Sequence, residues 1–226
     1  MKVTYYGHSC FAVETGSHTL LFDPYISGNP LAKAIDVQKI MADYILVSHG
    51  HEDHMADAAA IAKRTGAMLI SNYEIVTWFA RHGVNRGHAM NHGGAFRFDF
   101  GRVKYVAAVH SSTLPDGASG GNPGGFVVET PQGNFYYSGD TALTLDMKLI
   151  GETTPLKFAA LCIGDNFTMG PADAVRAAEF IHCEEILGVH YDTFPPIRID
   201  HAAAQAAFQS AGRKLHLLKP GEARNF

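Results

Sequence analysis

The run SHGHEDH at residues 48–54 constrains this chain more than any other part of it. It places His49, His51, Asp53 and His54 in the pattern H-x-H-x-D-H, directly after the apolar run Tyr44–Val47. Neutral imidazoles and a carboxylate are the ligands a catalytic divalent ion prefers. Gly50 keeps the loop small. The spacing is not that of a solvated charged turn, because partners recur downstream. Val106–Val109 runs into His110. Phe135–Tyr137 runs through Ser138-Gly139 into Asp140, and Ile186–Val189 runs into His190. A strand end is a rigid platform, and several on one side of a sheet can converge on one site. The chain must therefore fold so as to gather these ends.

The local pattern is α/β. Val3–Tyr6, Cys10–Glu14 and Thr19–Phe22 are short β-branched or aromatic runs split by Gly7-His8 and Gly16-Ser17. Met55–Arg64 is alanine-rich and reads as a helix stopped by Gly66, and Glu74–His82 as another stopped by Gly83. Between them Ala67–Ser71 reads as a strand. Phe96–Phe100 with Val103–Val109, and Phe126–Thr130 with Asn134–Tyr137, read as hairpins. Phe158–Ile163, Glu185–Val189 and Leu215–Leu218 are further strands, and Pro171–Ile181 and Ala202–Ser210 are helices. The order is a β-run, αβ units, a second β-run and further αβ units. It predicts two sheets with helices outside. No sequence repeat links the halves.

A chain of 226 residues can bury a sizeable core, and no Pro/Ser-rich or charge-run linker divides it, so residues 1–226 are expected to form one domain. A net charge of -4 does not favour a nucleic-acid backbone as partner. Cys10, Cys162 and Cys183 are odd in number and lack Cys-x-x-Cys spacing, as in a reduced cytoplasmic protein with buried thiols. The start MKVTYYGHSC has no apolar signal-peptide core, and no apolar run approaches the ~20 residues of a membrane span. Homo-oligomerisation is left open.

With its ligands in this order, the chain resembles the metallo-β-lactamase superfamily over nearly its whole length. A finer resemblance is to small bacterial metal-dependent hydrolases close to the ascorbate-6-phosphate lactonases. It rests on GHSCF at 7–11, DPYISGNP at 23–30, SHGHEDH at 48–54, SGDT at 138–141, GDNFTMGP at 164–171 and HYDTFP at 190–195. The resemblance implies a four-layer αββα sandwich with a dinuclear site at one edge of the sheets. It implies that His49, His51 and His110 hold one metal, that Asp53, His54 and His190 hold the other, and that Asp140 bridges them.

Two such ions, about 3.5–4 Å apart, share a water, lower its pKa and polarise a substrate oxygen. A bridging hydroxide is then the expected nucleophile towards a small ester, lactone or phosphodiester. The ions leave a positive centre, which should welcome a small anionic substrate. Asp53, beside both water and metal, is the expected proton carrier. The ligand set suits zinc, and also manganese, iron or nickel.

Other residues carry weaker signals. His8, in a turn that the resembling proteins place near the metals, is a candidate for acid–base or substrate-binding work, against a turn histidine bonded to backbone. Asp23 reads as a carboxylate that holds a ligand histidine. Asp57 reads as doing the same or as favouring a helix start. Asn166 and Tyr191 are candidate substrate contacts, and Asp165 and Asn166 equally could organise the loop before Pro171. Thr193 and Phe194 are expected to wall the pocket. Gly117–Gly125 reads as a plain connection, with a lid or an anion-holding loop as alternatives.

Three other functions compete. An RNA-processing nuclease would share the ligand motif, but the acidic balance and the lack of an RNA-binding arm stand against it. A di-iron redox protein of the flavodiiron type would carry Glu where His51 stands, and a flavin domain. A non-catalytic metal binder is expected to have lost ligands, and this chain keeps them all.

Overall fold

Alternation of apolar side chains builds both faces of the first sheet. In the computed structural model, which describes residues 1–226, β1 (Lys2–Gly7), β2 (Cys10–Thr15) and β3 (His18–Phe22) form an antiparallel meander. From β3 the sheet continues in parallel through β4 (Tyr44–Leu46), β5 (Met68–Asn72) and β6 (Gly87–Met90). Phe11, Val13, Leu20, Phe22, Tyr44 and Leu46 face inward into the large core. Their neighbours Cys10, Ala12, Leu21 and Ile45 face outward into a smaller one. That period of two is what a sheet covered on both faces requires. The outer cover is α1 (Glu52–Met55), α2 (Ala58–Thr65) and α3 (Tyr73–Arg81), which bury Met55, Ile61, Ala62, Ile75 and Phe79.

The second sheet repeats the plan. An antiparallel run of β7 (Ala95–Phe98), β8 (Gly101–Ala107), β9 (Gly124–Thr130) and β10 (Gly133–Tyr137) passes into parallel β11 (Phe158–Cys162), β12 (Glu185–Val189) and β13 (Lys214–His216). Its crossovers are α4 (Met147–Thr153), α5 (Pro171–Phe180) and α6 (His201–Ser210). The last strand, β14 (Ala223–Asn225), returns to pair with β1 at the edge of the first sheet. The sheets meet through aromatic rings. Phe22 stacks on Phe11 at 4.6 Å and meets Phe135, Tyr137 and Phe126 of the second sheet at 5.7, 5.6 and 6.3 Å. Two sheets with helices outside each are the expected four-layer sandwich.

Differences from the sequence reading have local causes. The helix expected over Met55–Arg64 is broken in two around Asp57. The Asp57 carboxylate accepts hydrogen bonds from the Ile26 and Ser27 N–H groups at 2.6 and 2.9 Å and from the Ser27 hydroxyl at 2.6 Å. It thus ties down the loop after β3 from the N-cap position of α2, makes no side-chain capping bond there, and bonds no ligand histidine. The strands β6 and β14 and the helix α4 were not anticipated. β6 and β14 lie at sheet edges, where short polar sequences pair without an apolar pattern. No helix is long and apolar enough to cross a membrane.

Because Phe22 is fully buried at the junction of both sheets, Phe22→Ala is expected to cost about 3–5 kcal/mol of stability. Urea unfolding measures it, and an unchanged midpoint would show that the sheets do not depend on this contact.

Candidate metal centre

Seven loops at one edge of the sandwich bring the candidate residues together. The turn between β1 and β2 contains a register shift at Tyr5–Gly7, which turns out His8. The loop after β4 supplies His49 and His51, and the short α1 supplies Asp53 and His54 on one turn. His110, Asp140 and His190 follow β8, β10 and β12. Gly50 is packed under the loop at 112–120: a Cβ there would lie 3.1 Å from Leu114 and 3.3 Å from the Ser112 hydroxyl. The Gly50 N–H donates to that hydroxyl at 3.0 Å. His8, Asp23 and His190 have φ values of 55, 37 and 56°, a left-handed backbone that costs on the order of 1 kcal/mol or more per non-glycine residue. Held strain at three site residues points to positions fixed by function rather than by local preference.

The potential ligand atoms fall into three groups, of which one, Asp23 with His49 and His54, lies behind the other two. His49, His51 and His110 bring one nitrogen each within 4.8 Å of the others. His8, Asp53, His54 and His190 do the same. Asp140 lies between these two groups, with its Oδ2 2.9 Å from His190 Nε2, 3.3 Å from His54 Nε2 and 3.6 Å from His110 Nε2. His49, His54, His190 and Asp140 are buried.

Asp23, at the end of β3, orients the centre from behind. Its Oδ2 accepts hydrogen bonds from His54 Nδ1 at 2.7 Å, from the Ser48 hydroxyl at 2.5 Å and from the Tyr137 hydroxyl at 2.5 Å. Its Oδ1 accepts from the Ser48 N–H at 2.7 Å. The Ser48 oxygen in turn lies 2.9 Å from His49 Nδ1. Both imidazoles are therefore held by Nδ1, and each turns Nε2 to the centre. Asp140 Oδ1 is buried and has no hydrogen-bond partner, and the carboxylate nearest to His54 Nε2 is that of Asp140, at 3.3 Å. A buried carboxylate oxygen left unmatched is costly in a native protein and fits a cation that is to be bound there.

Electrostatics agree. Burial, with His54 close by, holds His49 well below the ordinary histidine range, and burial lowers His51 and His110 as well. These three rings are neutral, as ligands must be. Burial opposes charge on His54, but Asp140 and Asp53 hold its pKa well above the usual value. Burial likewise works against ionisation of Asp140 and Asp53, yet His190 and His54 draw Asp140 down and His54 and His8 draw Asp53 down. The metal-free centre thus sets one proton, on His54, against two carboxylates and stays net negative, and a cation would displace that proton.

Around this core the expectations divide. His8 is buried, with Nδ1 2.8 Å from the Thr193 hydroxyl and Nε2 3.1 Å from Asp53 Oδ2. Burial and His190 push its pKa down to about 4. Phe194 packs edge-on against His8 at 5.5 Å. Tyr191, by contrast, was expected at the substrate but is turned into the body. Its ring lies parallel to Tyr5, 6.4 Å between centroids, and its hydroxyl faces the Leu218 carbonyl at 3.4 Å. A large ring two residues before Thr193 finds more apolar cover there than at the polar centre. The Asn166 side chain is exposed and makes no hydrogen bond, while Asp165 packs against Gly170 and pairs its N–H with the Met169 carbonyl. That pair organises the loop. The 117–125 loop spends its polar groups internally: Asn72 Nδ2 donates to the Gly120 and Asn122 carbonyls, and the Gly124 N–H donates to Ser48 O. Ser48 and Tyr137 were missed, because a serine before a histidine and a tyrosine in a core strand carry no pattern of their own.

A family model described as a beta-lactamase superfamily domain matches residues 2–190. The chain belongs to the beta-lactamase superfamily. A metal-dependent hydrolase of Flavobacterium johnsoniae is 53% identical over 222 residues, 98% of each chain. Another, from Thermus thermophilus, is 45% identical over 98% of this chain and 97% of its own. Igni18, a metallo hydrolase from the archaeon Ignicoccus hospitalis, has a solved structure that matches with a TM-score of 0.89 at 34% identity, over 100% of this chain and 98% of that one. This protein is likewise a metal-dependent hydrolase. An isothiocyanate hydrolase from Delia radicum gut bacteria shares the hydrolase's fold alone, with a TM-score of 0.81 at 17% identity over 100% of this chain and 99% of that one.

Removing the Asp23 carboxylate frees His54 and Ser48 together. Asp23→Ala is expected to weaken metal retention about 10–100-fold, read by competition with a chromogenic chelator. Since the His54 pKa is raised in the metal-free protein, its proton is present at neutral pH and must leave on loading. Metal uptake in lightly buffered solution near pH 7 should release about one proton from this ring, and affinity should fall as pH falls. Proton-neutral uptake would contradict the assigned charge state.

Proposed function

We propose that the hydrolase works with two divalent ions, one held by His49, His51 and His110 and one by Asp53, His54 and His190, with Asp140 between them. The observation that carries this reading is the position of Asp140 Oδ2, within 3.6 Å of a nitrogen from each group. Imidazole-rich ligation with two carboxylates suits zinc, with manganese, iron or nickel as alternatives. Divalent ions bound there lower the pKa of water and polarise a substrate carbonyl or phosphoryl oxygen. The substrate class is a small ester, lactone or phosphodiester.

The chain's own groups then handle the proton. Asp53 is the acid of the centre that reaches solvent, its side chain 29% exposed, whereas Asp140 is buried. It is placed to accept a proton as bond breaking begins and to return it to the leaving group. His8, bonded to Asp53 through Nε2 and to Thr193 through Nδ1, keeps that carboxylate in place. His51 and His110 are half-buried and lie on the open side, where substrate enters.

His49→Ala and Asp140→Ala should each abolish metal loading, read by elemental analysis, and with it ester or phosphodiester hydrolysis. A metal-free His49→Ala protein that turned over at the wild-type rate would overturn the proposal. Asp53→Asn should lower kcat by about 100-fold or more, with the metal at the His49 group retained.

A further inference from the structure

All 18 Lys and Arg residues of the chain lie outside the seven loops that build the centre. These loops span residues 7–9, 23–30, 48–57, 108–122, 138–146, 164–170 and 190–197, and none contains a fixed positive charge. They do carry acids. Glu52, Asp116, Asp146 and Asp165 are exposed and Asp192 is half-buried. The ion pairs made by Lys and Arg use Lys2, Lys39, Arg102 and Lys214, all elsewhere, so these acids are not neutralised by a Lys or Arg of the chain. The one near partner, His201, pairs with Asp192 alone. Besides acids, the loops show apolar groups to solvent: Val109, Leu145 and Phe167 are 59, 69 and 56% exposed. Next to the centre, Tyr25 and Phe194 stand edge-on to His8 at 5.7 and 5.5 Å and 6.5 Å from each other, both half-buried.

We infer that the centre selects an uncharged ester or lactone whose acyl or leaving group is apolar and of aromatic size, packed on Tyr25 and Phe194, and that it rejects substrates bearing an anionic group away from the scissile bond. This rests on the hydrolase reading above and narrows it. A positive charge at the metals acts on the atoms being cleaved. The rest of the substrate faces the loops, where a phosphate or carboxylate meets Glu52 beside Asp53 and no Lys or Arg of the loops to bind it. An apolar group meets rings and aliphatic side chains instead. The expectation of an anionic substrate, drawn from the charge of the centre alone, is thereby confined to the scissile group.

Three esters of one shape test this on the metal-loaded protein: phenyl acetate, its 4-sulfonate and its 4-trimethylammonium analogue. The kcat/KM of the sulfonate is expected to be about tenfold or more below that of the neutral ester at low salt, and the gap should narrow as salt screens the loops. The cationic ester should not suffer this loss. Phe194→Ala should raise KM for the neutral ester several-fold and leave the sulfonate less affected. Glu52→Lys should raise the sulfonate-to-neutral ratio several-fold.

Binding gives a second readout that needs no turnover. In saturation-transfer NMR, phenol should contact the protein and 4-phenolsulfonate should not, with the phenol signal reduced in Phe194→Ala. Equal treatment of neutral and sulfonated compounds, in rate or in binding, overturns the inference while leaving a hydrolase that turns over both esters intact. If no ester is cleaved but phenol alone binds, the preference for a neutral aromatic group at Tyr25 and Phe194 stands, and the ester or lactone part of the inference fails together with the ester reading of the reaction.

Discussion

One buried carboxylate holds the functional edge of this protein together. Asp23 ends β3 in the first sheet, reaches Ser48 and His54 beyond β4, and accepts the Tyr137 hydroxyl from β10 of the second sheet. Four donors surround it, which is near the capacity of a carboxylate. A charge so deep in a protein is tolerated only when it is paired and fully hydrogen-bonded. The geometry of His49 and His54 and the approach of the two sheets at this edge therefore depend on the same group. The φ of 37° at Asp23 shows that the backbone bends to put it there.

The rest of the centre follows from topology. Each sheet runs from an antiparallel meander into parallel crossovers, and the loops after β4, β8, β10 and β12 bring their His and Asp side chains together. Nothing in the amino-acid pattern displays this repeat, because hairpins and crossovers constrain only polarity and turn residues, which many sequences satisfy. Ligands from β4, β8, β10 and β12 meet because the parallel strands point the same way and the sheets face each other. Close approach makes small residues necessary: a Cβ at Gly164 would fall 2.0 Å from the His190 carbonyl, so the loops after β11 and β12 touch through backbone.

Motif residues were legible where chemistry forces a rare pattern. Four ligands packed between His49 and His54, and a His or Asp at three further strand ends, seldom occur together except to bind a cation. Strands with clean alternation, such as β2 and β3, and helices with clear stops, such as α3, were legible because a repeated local rule shapes them. The Asp57 carboxylate and the Tyr191 ring found partners that local pattern does not show, because their environment is set by residues far along the chain. Asp57 is claimed by Ile26 and Ser27, and Tyr191 by Tyr5 and Leu218. Ser48 and Tyr137 gave no signal, since serine and tyrosine are common everywhere and matter here only through a neighbour on another element.

The amino-acid sequence by itself determined that candidate metal ligands of a given number and kind exist and that they follow strands. Those properties are written in residue types and short spacings. Only the tertiary structure decided how far apart the candidate ligands stand, that Asp23 orients His54 and, through Ser48, His49, and that Tyr25 and Phe194 stand beside His8. Such facts depend on distances between residues tens to hundreds of positions apart. Packing of the two sheets sets those distances, and local pattern carries no record of them.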